Sequence, residues 1–287
     1  MKYIKTAIVA LLLVVVAAEA SVRIAGLADV PVRSANPTTG YIPLANQSGR
    51  FLLNDWTINN LSMISRKTYP GEREPIIVAG DSVVFGGNPL AQSERVGERL
   101  DAISPFDVFA IADGSWSFKN ELAYFIASKK IIGSPKKIIF VLNSADFDAP
   151  SSWRCNSTHP TSSPVSHLYF AVRKYAFPDC EASTPRELVV KDPDLVEEVN
   201  KFLDDYKDTD VSIVLYPTTD EFKSGESFRG KLTGSEEGFS RKIKIVDLVE
   251  IYKGDASAWN LRFYKDEIHP NAEGAAALAN FIHRYAF

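Results

Sequence analysis

The chain has 287 residues, 45% hydrophobic and 24% charged, a balance typical of a folded globular protein. The length is ample for the core of one large domain. A formal net charge of −4 supplies no basic footprint, so no nucleic-acid partner is expected.

In chain order, Lys2 and Lys5 precede an apolar stretch over residues 7–18, and Ala18-Glu19-Ala20 has the small-x-small pattern of a cleavage site before Ser21. The stretch is short for a bilayer span, which takes about 20 residues. Residues 1–20 therefore read as a signal peptide, with an uncleaved N-terminal anchor as the alternative, and the protein reads as exported. Residues 21–74 carry Pro31, Pro37, Gly40, Pro43 and Gly49 and lack strong periodicity. They read as an N-terminal arm with short strands or turns around Phe51-Leu52-Leu53.

From residue 75 a regular pattern sets in. Apolar runs of strand length lie at 76–79, 108–112, 138–142, 211–216 and 243–246, the last interrupted by Lys244. Near-continuous apolar runs suit strands buried on both faces of a parallel sheet. Between them, 91–100, 118–130, 193–206 and 272–285 have helical spacing, and Asn271 is a candidate cap for the last. Alternating strands and helices predict an α/β fold: a flavodoxin-like three-layer α/β/α sandwich with a five-stranded parallel sheet, whose site lies at the carboxyl ends of the strands. We read 75–287 as one catalytic domain. Residues 146–186, rich in Ser, Pro and aromatics, form a long loop insertion of functional or subdomain character. The insertion holds Cys155 and Cys180, the two cysteines of the chain, which in an exported protein read as a disulfide. The four histidines, His159, His167, His269 and His283, show no tight ligand spacing, and neither CxxC nor HExxH occurs. No metal and no cofactor are expected.

Two short motifs carry chemistry. Gly80-Asp81-Ser82 follows the first predicted strand, where a serine hydroxyl can be exposed beside the N-terminus of a following helix. A serine is a weak nucleophile without a base, and Asp266-Glu267-Ile268-His269 supplies a histidine with a carboxylate to orient it. The bland alternatives are turn chemistry for the first motif and a helix-capping segment for the second.

With these motifs in this order, the chain resembles the SGNH/GDSL hydrolase superfamily from about residue 75 to its end. The resemblance implies Ser82 as nucleophile, His269 as base and Asp266 as its orienting carboxylate. Of the two intervening blocks, Gly114 after the second strand matches the glycine and Asn143 after the third matches the asparagine. The implied oxyanion hole is the N–H groups of Ser82 and Gly114 with the Asn143 amide. The third block departs from the family's Gly-x-Asn-Asp: Val141 stands two before Asn143 and Ser144 follows it. Asp146 is a further candidate to line the site.

The exported arm and domain resemble proteins that move or remove O-acetyl groups on bacterial polysaccharides. This implies an acylated carbohydrate or polysaccharide substrate and a periplasmic or extracellular location, or membrane association through an uncleaved leader. Trp116, Trp153 and Tyr169 are candidates for stacking on sugar rings, or else for ordinary packing. The expected function is that of a serine esterase or O-acyltransferase. The alternatives are a lipid esterase or thioesterase, and a non-catalytic polysaccharide-binding scaffold of the same fold. An acyl-carrier domain fails on length and on a serine that follows a strand.

Overall fold

A computed structural model of the chain describes residues 2–87, 90–177, 179–180, 183–252 and 259–287. It opens with a long helix, α1 (Lys2–Ala25), followed by two antiparallel hairpins: β1 (Arg33–Asn36) with β2 (Gly40–Pro43), and β3 (Gln47–Phe51) with β4 (Asn54–Ile58). The second hairpin reverses at Leu52 and Leu53, both at positive φ (46° and 68°), so the apolar triplet read near Phe51 ends a strand and makes its turn. After these come β5 (Pro75–Gly80), the short α2 (Ser82–Phe85), α3 (Val96–Ile103), β6 (Asp107–Ala112), α4 (Phe118–Ile132) and β7 (Lys137–Leu142). The chain continues through α5 (His167–Ala176), α6 (Leu195–Asp205), β8 (Asp210–Leu215), α7 (Thr219–Ser224), α8 (Gly230–Glu236), β9 (Lys244–Asp247), α9 (Leu248–Tyr252) and α10 (Ala272–Tyr285).

Five strands form one all-parallel sheet in the order β6-β5-β7-β8-β9. This is the expected α/β architecture, and its strand runs alternate between two cores. Ile76, Val78, Val108, Ala110, Ile139 and Val141 pack with Val96 and Leu100 of α3 and with Leu278 and Ile282 of α10. Ile77, Ala79, Phe109, Ile111, Ile138 and Phe140 pack on the other face with Leu122 and Phe125 of α4 and with Phe202 and Leu203 of α6. Both faces are covered by helices, which is why the strands are apolar along their whole length. The chain leaves β5 for one neighbour, β6, and then returns across it to the other, β7. That reversal makes a topological switch point at the carboxyl end of β5, where open α/β sheets form their crevice.

The hairpins are part of the body. Phe51, Trp56 and Ile58 join the first core, and Tyr41 joins the second. Cys155 and Cys180 are disulfide-bonded. The insertion they close also contains α5, a helix the sequence reading did not anticipate because its apolar residues are mostly exposed rather than arranged as one buried face. Helix α1 is long and apolar enough to cross a membrane by length and composition, with a mean hydropathy of 2.3 over its most apolar 18-residue window.

Candidate active site

Ser82 stands where β5 ends and α2 begins. Asp81 caps α2, its Oδ1 accepting from the Val83 N–H at 2.8 Å. Ser82 is the first helical residue, so its N–H belongs to the donors that a helix leaves without an intrahelical partner. Gly80 beneath it is close-packed: a Cβ there would lie 2.4 Å from the Val84 side chain and 3.1 Å from the Val141 carbonyl. A side chain at this position would push the serine turn off the sheet.

His269 comes from the loop before α10. That loop is fixed by the Lys265 N–H donating to the His269 carbonyl at 2.8 Å, and by Asn271, whose Oδ1 caps α10 at Gly274 and whose amide donates to the Arg262 carbonyl. His269 Nε2 lies 2.9 Å from Ser82 Oγ, and its Nδ1 lies 2.9 Å from both carboxylate oxygens of Asp266. Asp266 Oδ1 also accepts the backbone N–H groups of Ile268 at 3.1 Å and His269 at 2.8 Å. Burial pulls the Asp266 pKa up, but these backbone donors and the imidazole outweigh it and hold the carboxyl below its ordinary value. The carboxylate is thereby kept ionised opposite Nδ1. The order carboxylate–imidazole–hydroxyl allows the imidazole to take a proton from the serine as the oxygen attacks.

The other sequence candidates lie at neighbouring strand ends, in states the sequence did not reveal. Asn143 follows β7 and is buried, with its amide nitrogen 3.1 Å from Asp81 Oδ2 and 2.9 Å from Asp146 Oδ2. Asp81 Oδ2 also accepts from Ser82 Oγ at 3.2 Å. Asp146 holds the Asn143 backbone N–H as well, at 2.7 Å, so it positions the asparagine. Gly114 follows β6, and its N–H donates to Asp113 Oδ1 at 2.8 Å. In this arrangement the Asn143 amide and the Gly114 N–H are already given to carboxylates. The expected oxyanion donors are thus differently placed: the Ser82 N–H has no intrahelical acceptor, whereas Asn143 and Gly114 each have a competing one.

The sequence reading missed what holds the Gly114 loop. Asp113 is fully buried and makes a two-pronged ion pair with Arg33 of β1, Nε–Oδ2 at 2.6 Å and Nη2–Oδ1 at 2.7 Å. Tyr41 of β2 donates its hydroxyl to the Gly114 carbonyl at 2.6 Å, and His159 of the insertion stacks on Tyr41 at 3.8 Å between ring centroids. Burial lowers the His159 pKa to about 4, so this imidazole is neutral at physiological pH. Trp116 is buried and donates to the Tyr41 carbonyl, which makes it packing rather than a platform for sugar. Trp153 likewise donates to the His159 carbonyl. Tyr169 is exposed on α5.

Glu121 of α4 is fully buried, and neither carboxylate oxygen has a hydrogen-bond partner among the described residues. Burial first, then the charges of Asp146 and Asp81, push its pKa well above the ordinary value. Burial and Asp81 push Asp146 up in the same way. The folded chain therefore keeps protons that the unfolded chain releases once pH exceeds the ordinary carboxylate pKa. Stability from these groups is intact below that pKa and falls as pH rises above it. Glu121→Gln is expected to flatten the loss of urea-unfolding stability between about pH 5 and about pH 8. A slope equal to that of the wild type would show that Glu121 folds ionised. Among the described residues no group of three His, Cys, Asp or Glu side chains is placed to hold a metal ion.

No family model matches the sequence, and no curated protein matches it. Solved structures do match. One is a member of the lipolytic protein G-D-S-L family from Veillonella parvula, with 16% identity, 73% of this chain and 96% of that one covered, and a TM-score of 0.41. Another is the C-terminal catalytic domain of Streptococcus pneumoniae peptidoglycan O-acetyltransferase A, with 13% identity, coverage of 75% and 93%, and a TM-score of 0.39. A carbohydrate esterase matches with 12% identity, coverage of 86% and 88%, and a TM-score of 0.44. Likeness at this level assigns no activity to this chain; the five-stranded parallel sheet and the groups at its carboxyl edge stand on its own geometry.

Proposed function

We propose that the chain is an exported serine esterase or O-acyltransferase that works on O-acyl, in the first instance O-acetyl, esters of carbohydrate. The observation that carries this reading is the continuous hydrogen-bonded series Asp266–His269–Ser82 at the switch point of the sheet. In the proposed cycle Ser82 Oγ attacks the ester carbonyl carbon while His269 Nε2 takes its proton. The Ser82 N–H, joined by Gly114 and Asn143 once these exchange their carboxylate acceptors for the developing oxyanion, stabilises the tetrahedral intermediate. His269 returns the proton to the departing sugar oxygen and leaves an acyl-serine. Water or a second sugar hydroxyl, deprotonated by the same imidazole, then attacks, giving a free acid or a new ester and restoring Ser82.

The openness of the site favours a polymeric acceptor over a deep acyl-chain channel. The side chains of His269 and Asp266 are 37% and 46% exposed. Acetate release from, or transfer to, an acetylated polysaccharide is the direct test. A preference for long-chain over acetyl p-nitrophenyl esters would replace this reading with a lipid esterase or thioesterase.

Asp266→Asn tests the carboxylate while leaving its backbone contacts in place. An asparagine oxygen can still accept the N–H groups of Ile268 and His269, while its amide would face Nδ1 with a donor and select the wrong tautomer. A fall of about 10⁴-fold in kcat with little change in KM is expected by analogy with a serine protease triad. A change confined to KM would remove Asp266 from the proposed role.

A further inference from the structure

The end of α1 is built into the folded body. The helix runs unbroken through Ala18-Glu19-Ala20 to Ala25. Glu19 lies at the start of α5, where its carboxylate accepts from Ser166 Oγ at 3.0 Å and from the backbone N–H groups of His167 at 3.0 Å and Leu168 at 2.8 Å. Arg23 pairs with Glu19 at 2.7 Å and donates to the Val165 carbonyl at 2.7 Å. One turn on, a Cβ at Gly26 would lie 1.8 Å from the Arg50 carbonyl, so the chain passes against β3 before Ala28 and Val30 enter the core. A cut before Ser21 would take away the carboxylate that satisfies the first turn of α5.

The remainder of α1 has the opposite character. Ile8, Val9, Leu11, Leu12, Leu13 and Val16 are all exposed, and none of the helix's apolar window is buried. Exposed apolar residues continue on the body at the level of Glu19. Val165 is 95% exposed, and Tyr169, one helical turn further, is 68% exposed. From there α5 climbs beside the end of α1 until the Tyr175 hydroxyl reaches the Leu27 carbonyl at 3.4 Å.

We infer that α1 is retained as a membrane anchor and that Val165 and Tyr169, at the start of α5, enter the lipid interface beside it. The apolar run before Glu19 is shorter than the roughly 20 residues of a full span, and a short span draws its flanking residues toward the bilayer. The flank here is the α5 start, held to α1 by Glu19 and Arg23, and a tyrosine at that level suits the headgroup region. The inference is independent of the acyl chemistry at Ser82.

The test uses the full chain. Its mass after extraction from expressing membranes should include residues 1–20; a mature chain beginning at Ser21 would overturn the inference. Purified Tyr169→Trp and Val165→Trp proteins are then reconstituted in phosphatidylcholine–phosphatidylglycerol vesicles with brominated acyl chains, and the wild-type emission is subtracted. The added tryptophan should emit to the blue and be quenched by the bromines, whereas Ile131→Trp at the exposed end of α4 should not. Emission at 169 and 165 that is insensitive to bromine overturns the contact. A blue shift without bromine quenching also overturns it, since protein, such as a second copy, would then cover the face.

Discussion

Ser82→Ala is expected to lower acetyl-ester turnover by about 10⁶-fold, toward the residual rate that binding and oxyanion stabilisation alone supply in a serine protease of known behaviour. The substitution removes the attacking oxygen and one donor to Asp81, while the cap that Asp81 provides to Val83 remains. The fold should therefore survive, and near-ultraviolet circular dichroism should match the wild type. A fluorophosphonate probe should label the wild type and a Ser163→Ala control on the exposed insertion but not Ser82→Ala. Equal labelling of all three would place the reactive nucleophile elsewhere than Ser82, and no labelling of the folded wild type would leave the chain as a binding scaffold. His269→Ala should fall with Ser82→Ala rather than add to it, because the two act as a unit.

Arg33→Met should have the largest effect on stability. Asp113 would stay fully buried with its cation gone, and removing one partner of a buried ion pair costs about 3–5 kcal/mol. For a domain of this size that is a fall in Tm on the order of 10 °C. The double variant Arg33→Met/Asp113→Leu should recover much of it, since an apolar pair of similar volume can replace a buried ion pair. The two variants also separate stability from function. Asp113 Oδ1 accepts the Gly114 N–H, so the double variant should regain Tm while turnover stays altered. If turnover recovers fully with Tm, the Gly114 loop has no part in the chemistry.

The sheet was legible because its signal is local. Each of the five apolar runs became a strand with ends moved by one residue or so, since a strand covered on both faces must be apolar throughout. The last helix was read with its bounds and its Asn271 cap intact, because capping is written in adjacent residues. The serine turn and the histidine loop were legible for the same reason. The buttress of the Gly114 loop was not. Arg33 and Asp113 are 80 residues apart, and nothing in the local pattern of either distinguishes a buried partner from a surface charge. The hydrogen bonds that occupy Asn143 and Gly114 were equally hidden, because Asp81, Asp113 and Asp146 each resemble an ordinary turn aspartate in the sequence. A faint signal did exist for Asp81, an aspartate just before a short helical run and so a natural cap.

The Gly114 loop is gripped by Arg33 and Tyr41, made early in synthesis, and by His159, which lies within the segment closed by Cys155 and Cys180. During synthesis the first two have no partner until Asp113 and Gly114 emerge, and the third lies in a segment that is closed when the Cys155 and Cys180 thiols are oxidised. For a chain delivered unfolded across a membrane, the last closure around the Gly114 loop would be made on the oxidising side. With the acyl chemistry proposed for Ser82, biogenesis would then act as a safety catch, keeping that serine from meeting the cell's own esters before the chain reaches its destination. Cytosolic, thiol-reduced protein should accordingly gain ester turnover when oxidised in vitro, and a reduced form already at full turnover would show that the grip of His159 is dispensable.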